Sequence, residues 1–361
     1  MQRRDVLKSG LVVAAASALA KPAIAQGAPS VRWRLTSSFP KSLDTIYGGG
    51  EFFADRVSKL TDGKFTIRVF AAGDIVPAFQ ALDAVQQGTV EICHTATYYY
   101  VGKDFTMGFG TALPFGLTTR QQNAWMYAGG GIDTLNEFFK AYGVIAYPAG
   151  NTGAQMGGWF RNPVNTIADF KGLKMRIPGL GGQVMARIGA VPQALPGGDI
   201  YPALERGAID ATEWVGPYAD EKLGFYKIAK NYYYPGWWEP CSMYHVMVNL
   251  QKWAELPKPY QEAIVSAARE ANLEMVAQYD AKNRLALQRL KAAGVQLHKF
   301  SDEIMEGSYK AATELYEEEA AKNAKFKAIY EPWTKFRAEE AQWFALAESA
   351  MDQYFAGKLK S

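Results

Sequence analysis

Two glutamates in loop-like segments are the residues of this sequence best suited to chemistry. Glu213 lies in "IDATEWVGP" (residues 209–217) and Glu239 lies in "PGWWEP" (residues 235–240), each beside a tryptophan and among glycine and proline. Two nearby carboxylates could act as the acid and the base on a glycosidic bond. Two unrelated glutamates exposed on the surface are the commonest alternative. A joint role depends on whether the fold brings the two segments together.

Motifs of the common enzyme classes are absent from the sequence. It contains no G-x-S-x-G, no H-E-x-x-H and no phosphate-binding loop, so no nucleophile or catalytic metal is indicated. The two cysteines, Cys93 and Cys241, show no spacing to histidine that is typical of zinc. Two separate, small apolar thiols are expected, although an oxidising compartment would permit a disulfide between them.

The first 25 residues have the features of a secretory signal peptide. A charged start with the pair Arg3-Arg4, typical of the twin-arginine type, precedes a mild apolar run over residues 10–20. The run is too short to span a bilayer, and the small residues at 23–25 predict cleavage after Ala25. The mature protein is therefore expected to be soluble and periplasmic.

The apparent positive charge of the chain belongs to this segment. Residues 1–25 contribute four basic residues and one acidic residue, which leaves 35 of each in the rest of the chain. A nucleic-acid-binding protein would need a basic surface, and this balance gives no indication of one. The length of 361 residues, at 48% hydrophobic and 21% charged, is typical of two globular domains or one two-lobed unit.

Strand and helix patterns alternate over the first two thirds of the chain. The segment "VRWRLTSSFP", which begins at Val31, alternates apolar and polar residues and predicts a strand. The next segment predicts a helix with Phe52 and Phe53, Val57 and Leu60 on one face. Continuation of this rhythm indicates an α/β fold with parallel-type sheets and helices on both faces.

The chain after Pro257 is predicted to be mainly helical. A long helical pattern runs to Gly294, and a last helix is predicted to follow Pro332. The apolar face of the last helix is wide enough to need a partner surface, on its own lobe or on a second copy. That face comprises Trp333, Phe336, Glu340, Trp343, Ala347, Ala350 and Tyr354, with Phe344, Met351 and Phe355 beside it.

The most informative segment is "GGDIYPALERGAIDATEW" (residues 197–214), which by spacing alone is one plain βαβ crossover. Its order of residues resembles the signature of the extracytoplasmic solute receptors of tripartite ATP-independent periplasmic (TRAP) transporters. Within that family the chain looks closest to receptors for 2-oxo monocarboxylates such as pyruvate. Further segments that resemble the family in the same order are 37–77, 83–95, "YYYVGKD" (98–104), "NTGAQMGGWFR" (151–161), "GLKMRIPG" (172–179) and "YYPGWWE" (233–239).

The resemblance covers essentially the whole mature chain and implies an α/β periplasmic solute-binding fold with two discontinuous lobes. Lobe 1 is expected to contain residues 27–151 and 240–278, and lobe 2 residues 152–239 and 279–330, with a long connecting helix. Residues 331–361 resemble an extra C-terminal helix that is exchanged within a dimer in the oxoacid receptors. The chain is therefore expected to form a homodimer.

Arg176, in "LKMRIPG", is the expected partner of the ligand. Composition alone would make it an exposed arginine at the end of a strand. The resemblance implies instead that it forms a two-pronged salt bridge with the substrate carboxylate. The chemistry is suitable, because a planar guanidinium matches a carboxylate with two parallel hydrogen bonds and stays charged.

The resemblance also assigns the two glutamates. Gln155, Glu213, the backbone oxygen of Trp214 and Glu239 are expected to surround a cation, and oxygen ligands suit Na⁺ or Ca²⁺. With Arg176 and an anionic ligand, a monovalent ion would leave the site at −1 and a divalent ion at zero, which mildly favours Ca²⁺. The nearest resemblance favours Na⁺, so both ions remain open.

The remaining expectations concern the ligand and the partners. Tyr99, Trp214, Gln155 and Asn151 match ligand-lining positions of the family. The resemblance implies a receptor without catalytic activity that delivers a small 2-oxo or 2-hydroxy monocarboxylate to a small and a large membrane subunit. Lactate or a C4-dicarboxylate is the alternative ligand, and a periplasmic carbohydrate hydrolase that uses the two glutamates is the remote alternative.

Overall fold

The computed structural model describes residues 29–358, so the predicted signal segment 1–25 lies outside the described residues. The strands are β1 (Val31–Ser37), β2 (Phe65–Phe70), β3 (Ile92–Thr95), β4 (Val144–Asn151), β5 (Gly158–Phe160), β6 (Lys174–Arg176), β7 (Val191–Gln193), β8 (Ala211–Thr212), β9 (Asn231–Tyr234), β10 (Met243–Asn249) and β11 (Gln296–Lys299).

Helices separate most of these strands and cover the sheets. They are α1 (Ile46–Leu60), α2 (Ala81–Gln86), α3 (Gly108–Thr111), α4 (Thr119–Tyr127), α5 (Gly131–Phe139), α6 (Gly179–Arg187), α7 (Gly197–Glu205), α8 (Pro217–Leu223), α9 (Leu250–Glu255), α10 (Lys258–Ala292), α11 (Asp302–Lys322), α12 (Ala324–Leu346) and α13 (Glu348–Lys358). Short 3₁₀ helices occupy Ala78–Gln80, Thr97–Tyr100, Phe105–Met107, Lys140–Tyr142, Ile167–Phe170 and Phe225–Lys227.

The first sheet has the strand order β2-β1-β3-β10-β4. Strands β1, β2 and β3 run parallel, whereas β10 is antiparallel to both of its neighbours. The predicted alternation in β1 is confirmed, since Trp33 and Leu35 are buried while Arg32 and Arg34 are exposed. Helices α1 and α10 pack over this sheet and bury an apolar core with it.

The second sheet has the order β11-β9-β5-β8-β6-β7. Its β5 is antiparallel to β8 and β9, while the other pairs are parallel. Both sheets are therefore mixed, and the expectation of parallel-type sheets is correct only in part. Strands β5 and β10 each arrive directly from the other sheet, without the helical crossover that would make them parallel to a neighbour.

Three parts of the chain connect the two sheets. Residues 152–157 lead from β4 to β5, residues 235–242 lead from β9 to β10, and α10 leads from β10 and α9 toward β11. These positions are compatible with lobes that change at residues 151/152 and 239/240. The lobe boundaries themselves, with the second part of lobe 2 at 279–330, stay a prediction.

Two helical predictions need correction. Leu60 does not lie on the buried face of α1, because its side chain is exposed whereas Phe53 and Val57 are buried. The last helical region does not start after Pro332, because α12 begins at Ala324 with Asn323 as its cap and contains that proline. The side chain of Asn323 accepts the first amide hydrogen bonds of the helix, which is a stronger start signal than the proline.

The apolar face predicted for this region is buried at its start and exposed toward its end. Trp333 is buried against Phe109 of the same chain, and the helix is interrupted at Ala347 before α13 begins. Beyond that point Met351, Tyr354 and Phe355 are more than half exposed, and Trp343 and Leu346 of α12 are exposed as well.

Two further observations concern the described residues as a whole. Over residues 29–358 no helix combines the length and the apolar character that crossing a bilayer requires. Cys93 and Cys241 are both buried and form no disulfide, which agrees with the expectation of two separate thiols.

Candidate functional site

The ends of two neighbouring parallel strands place Arg176 beside Glu213. Arg176 is the last residue of β6, and it is in register with Thr212, the last residue of β8. The next amide, of Glu213, donates to the carbonyl oxygen of Arg176 at 3.3 Å. Because side chains at the carboxyl ends of parallel strands meet at one edge of the sheet, the arginine and the glutamate come together there.

Arg176 is completely buried, so the interpretation as an exposed strand-end arginine is wrong. Its Nη1 donates to the carboxylate of Glu213 and to the Glu213 backbone oxygen at 3.1 Å. Its Nε donates to the backbone oxygen of Leu195 at 3.0 Å, and the guanidinium lies 4.9 Å from the centre of a Trp214 ring. Nη2 is buried without any partner. One prong of the guanidinium is therefore available to a buried acceptor.

The second glutamate is held by the connection that follows β4. Gln155 donates from Nε2 to Glu239 Oε2 at 3.1 Å and to Thr152 Oγ1 at 3.1 Å. The carbonyl oxygen of the Gln155 side chain and Oε2 of Glu213 are both buried without a donor. Buried oxygens of this kind are normally satisfied by a donor, a water molecule or a cation.

These unsatisfied oxygens fit the donor set expected for a hard cation. Residues 29–358 contain no group of three or more His, Cys, Asp and Glu side chains that could hold a metal ion. A cation at this place would therefore have to use amide and backbone oxygens in addition to the two glutamates. Gln155 and the backbone of Trp214 are of that type, so the residues present fit a Na⁺ or Ca²⁺ ion.

Burial makes the two carboxylates costly to ionise. It raises the pKa of Glu239 to about 7, and it raises the pKa of Glu213 well above its usual value even though Arg176 acts in the opposite direction. Each glutamate also raises the pKa of the nearby phenol hydroxyls of Tyr98 and Tyr99. Added positive charge in the site would relieve this cost.

Aromatic residues close one side of the site. Tyr98 and Tyr99 meet edge to face with ring centres 4.9 Å apart. Burial raises the pKa of Tyr99, which Arg176 lowers and the two glutamates raise, so the ring lies within electrostatic range of all three groups. A cavity of about 290 Å³ adjoins it, and its lining includes Phe79, Tyr98, Tyr99, Ile177, Pro178 and Gly179.

Asn151 is the predicted site residue that the structure does not link to these groups. Its Oδ1 accepts from the amide of Gly153 at 2.9 Å, and its Nδ2 lies 3.7 Å from the sulfur of Cys241. These contacts shape the start of the connection between the sheets. Direct contact of Asn151 with a ligand stays a prediction.

Two contributors were not found in the sequence. The hydroxyl of Thr152 accepts from the side-chain amide of Gln155 and so orients it. Tyr98 lies near enough to Glu239 to lower the pKa of that glutamate against the effect of burial. A run of three tyrosines gives no indication of which ring faces the site. Thr152 lies in the same motif as Gln155, and its position three residues earlier was the available signal.

Glycines allow the segments to approach one another. Gly158 has φ +88°, and a Cβ there would lie 2.6 Å from the backbone oxygen of Thr212 and 3.2 Å from the Cβ of Glu213. At Gly236 a Cβ would lie 2.8 Å from the backbone oxygen of Gln155. Both contacts are closer than a side chain permits. The glycines of "MGGWF" and "PGWWE" are thus needed beside the two glutamates.

Comparison with known proteins gives the family of the chain as a whole. The model of the family described as bacterial extracellular solute-binding protein, family 7, matches residues 36–323. The chain belongs to this family. Its members are solute-binding receptors rather than a catalytic family, and they include the receptors of TRAP transporters, so the predicted family, two-lobed fold and periplasmic location are confirmed.

Several relatives are similar over nearly the whole chain. A monocarboxylate 2-oxoacid-binding periplasmic protein of Nostoc is 51% identical over 360 residues, 98% of this chain and 99% of the relative. A TRAP transporter receptor of Bordetella bronchiseptica has a TM-score of 0.91 and 50% identity, with 92% of this chain and 99% of that chain covered. That protein is a mixed-occupancy dimer with copurified calcium and picolinate in one active site and an apo second site.

A more distant solved structure is the TRAP receptor of Pseudoalteromonas atlantica. It has a TM-score of 0.87 and 38% identity, with 90% of this chain and 99% of that chain covered. It contains bound sodium and pyruvate. The expectation of a cation, Na⁺ or Ca²⁺, beside a small carboxylate therefore agrees with what these family members hold.

Proposed function

We propose that this protein is the periplasmic receptor of a TRAP transporter and binds a small 2-oxo monocarboxylate of the pyruvate type together with Na⁺ or Ca²⁺. Nη2 of Arg176 donates to one oxygen of the ligand carboxylate. A single contact replaces the two-pronged salt bridge that the resemblance implied, because Nε and Nη1 have partners within the protein. The cation is held by the side chains of Gln155, Glu213 and Glu239 and by the backbone oxygen of Trp214. When bound, the cation supplies positive charge between the two glutamates and the anionic ligand.

The observation that carries this proposal is the complementary set of unsatisfied atoms. The arginine offers a buried donor without an acceptor, and Gln155 Oε1 and Glu213 Oε2 are buried acceptors without donors. An unsatisfied buried polar atom costs about 1–3 kcal/mol. An anion and a cation that arrive together would satisfy both kinds of atom, whereas either ion alone would leave one kind unmatched.

The relatives support the same ligand class. The Nostoc relative is named for 2-oxoacid binding, the Pseudoalteromonas receptor holds pyruvate with sodium, and the Bordetella receptor holds picolinate with calcium. In pyruvate and picolinate alike, the carbon next to the carboxylate is bonded to a second atom that can bind a metal, which is the 2-oxo oxygen in pyruvate and the ring nitrogen in picolinate. Lactate also has this arrangement, and a C4-dicarboxylate such as succinate lacks it.

Two partners belong to the proposal. Delivery of the ligand requires the small and the large membrane subunits of the transporter, as expected for the family. A second copy of this chain is the proposed partner of the exposed apolar side chains of α12 and α13. The dimer of the 50% identical Bordetella receptor supports it.

Calorimetry of chelator-treated protein in sodium-free buffer tests the ligand and the cation. Pyruvate, 2-oxobutyrate, lactate and succinate are titrated without added cation, with Na⁺ and with Ca²⁺. We expect pyruvate or 2-oxobutyrate to bind tightly only when a cation is present. Equal affinity under all three conditions, or preference for succinate, would contradict the proposal.

The variant Glu239→Gln tests the coupling between the two ions. The ligand must raise the affinity for the cation by the same factor as the cation raises the affinity for the ligand, because coupling between two sites is reciprocal. The variant retains the shape of the side chain but loses one charge and one strong cation ligand. We expect it to fold and to need far more cation for the same ligand affinity, while Glu318→Gln, an exposed partner of Arg187, should behave as wild type.

A further inference from the structure

Asp220 is a buried carboxylate outside the proposed ligand set, and four donors surround it. Its Oδ1 accepts the backbone amides of Val215 and Gly216, both at 3.1 Å. Its Oδ2 accepts the indole N–H of Trp159 at 2.9 Å and the hydroxyl of Tyr232 at 2.8 Å. One oxygen thus faces a loop and the other faces the second sheet.

The two aromatic donors belong to the rigid part of that sheet. Trp159 in β5 and Tyr232 in β9 are register partners, and their rings stack with centres 3.8 Å apart. Trp159 is also paired with Thr212, where β8 ends. The two residues that follow are Glu213 and Trp214. They lie between the end of β8, which is paired with β5, and the amides of Val215 and Gly216, which donate to Asp220. Both ends of this short segment are fixed to the same sheet.

The same loop is connected to the other proposed cation ligands by backbone hydrogen bonds. The carbonyl oxygen of Val215 accepts from the amide of Met156 at 2.9 Å. The carbonyl oxygen of Gln155, the residue before Met156, accepts from the amide of Gly236 at 3.2 Å. The carbonyl oxygen of Gly236 in turn accepts from the amide of Glu239 at 3.2 Å. Displacement of the loop at its fixed end would therefore move three ligand-bearing segments.

We propose that Asp220 is a positioning residue of the cation site. It holds the Glu213 carboxylate and the Trp214 backbone oxygen in place before the cation arrives, and it sets the cation affinity without contacting the cation. This inference rests on the proposed function, since it concerns the same site. A ligand set that is already ordered loses less conformational entropy on binding than one that the ion must assemble.

Amide hydrogen exchange of the wild-type protein gives the first test and needs no variant. The protein is compared after chelation, with Ca²⁺ alone, and with Ca²⁺ and pyruvate. We expect the amides of Val215 and Gly216 to be protected already in the chelated protein, because Asp220 is their acceptor. Protection that appears only after the cation is added would overturn the inference, since the ion would then order the loop.

The variants Asp220→Asn and Tyr232→Phe give the second test. An asparagine has one acceptor oxygen and an NH₂ group, so it cannot accept both pairs of donors. Tyr232→Phe removes one donor on the sheet side and leaves the loop amides satisfied. Calorimetry of Ca²⁺ in the presence of pyruvate should show a cation affinity at least about tenfold weaker for Asp220→Asn, as is usual for loss of an outer partner of metal ligands.

Tyr232→Phe is expected to lower the thermal midpoint of unfolding. It should change the cation affinity by less than about threefold, because the contacts of Asp220 with the loop remain. Equal losses of affinity in the two variants, or an unchanged affinity in Asp220→Asn, would indicate a purely structural role. If Asp220→Asn does not fold, the exchange experiment on wild type still decides. Absence of cation-dependent binding in wild type would instead refute the proposed function, while the protection of the two amides would still report on the loop.

Discussion

The guanidinium of Arg176 uses its nitrogens for different purposes, and this explains why lysine should not replace it. Nε contacts Leu195, Nη1 contacts Glu213, and Nη2 has no partner and is the atom that we propose for the ligand. The ammonium of a lysine is a point charge without the planar fork. We expect Arg176→Lys to weaken pyruvate binding by roughly 2–5 kcal/mol, as for loss of one partner of a buried charge pair.

The matched control for this substitution is Arg187→Lys in α6. Arg187 forms a largely exposed ion pair with Glu318, and pairs of this kind contribute little. Calorimetry at saturating cation should give wild-type affinity for the control. A near-normal affinity of Arg176→Lys for pyruvate would show that the arginine does not bind the ligand.

Gly158 provides a second test at the level of one residue. Gly158→Ala would place a methyl group against the backbone of Thr212 and the side chain of Glu213. We expect a weaker cation affinity in addition to lower stability, because the loop that carries the glutamate must move. Gly172→Ala is the control, since Gly172 also has a positive φ, +75°, but has no atom within 4 Å of the added methyl.

The two alanine variants separate backbone strain from displacement of the site. Both should lose roughly 1–3 kcal/mol of unfolding free energy from the left-handed conformation. Only Gly158→Ala should alter the Ca²⁺ concentration needed for half-maximal pyruvate binding. Equal cation affinity in the two variants would show that the close contact at Gly158 does not position Glu213.

Much of the candidate site could be predicted from the types of its residues. The segments of Arg176, Gln155 and the two glutamates resemble a family signature, and the guanidinium and the oxygens of these residues suit a carboxylate and a cation. The ion pair between Arg176 and Glu213 was not predicted. It depends on the register of β6 and β8, and strands of two or three residues have too little periodicity to reveal it.

At the level of elements, the C-terminal helices differ in what they cover. Trp333 in α12 is buried in the core of its own chain, so a deletion that starts before it would remove core packing as well as any dimer surface. The apolar side chains of α13 are exposed. The appropriate cut therefore lies after Ala347, where the helix is interrupted.

Deletion of residues 348–361 should convert the protein to a monomer that is otherwise folded. The reason is that the proposed contact of Met351, Tyr354 and Phe355 with a second copy is lost, while Trp333 keeps its own surroundings. Light scattering measures the mass, and circular dichroism checks the fold. A full-length protein that is already monomeric, or a truncated protein that remains dimeric, would contradict this assignment.

The α/β class, helix α1 and the long helix α10 followed from the sequence pattern, and the departures have physical causes. Strands β5 and β10 enter from the opposite sheet, so their direction is set by the connection and not by a local pattern. The start of α12 is set by the side chain of Asn323, whereas Pro332 lies inside the helix. Local signals of a single residue are easily missed when a longer pattern suggests another boundary.

At the level of the whole molecule, two buried histidines make stability depend on pH. His94 in β3 and His245 in β10 belong to adjacent strands, and both are buried. Burial lowers the pKa of His94 to about 4 and, with a further contribution from His94, that of His245 to about 3. In the unfolded chain both rings have the ordinary value of 6.5. Below that pH the unfolded state binds protons that the folded state does not.

The stabilising contribution of each ring is therefore complete above pH 6.5 and is lost as the pH falls toward 4 and 3. Between pH 7 and pH 5 the loss is about 2 kcal/mol for each ring. Asp220 and Glu239 act in the opposite direction, because burial raises their pKa values. The pH dependence of the unfolding free energy of the wild-type protein therefore does not report on the two histidines alone.

His245→Gln isolates the effect, since glutamine is polar but does not titrate. We expect this variant to be less stable than wild type at pH 7 and to lose less of its stability on going to pH 5. Urea unfolding at the two pH values gives the difference in unfolding free energy. That difference should shrink by about 2 kcal/mol. A constant difference would show that His245 is protonated in the folded state as well.

The two chain connections that carry Gln155 and Glu239 have a consequence for the timing of transport. Residues 152–157 and 235–242 both pass from one sheet to the other, and a hydrogen bond already joins the two side chains. A cation bound to both would fasten the two connections to each other where the chain passes between the sheets. In the proposed site this cation lies between the glutamates and the ligand. The dwell time of the ligand would therefore be governed by the residence time of its cation, and the receptor would release both in a single event.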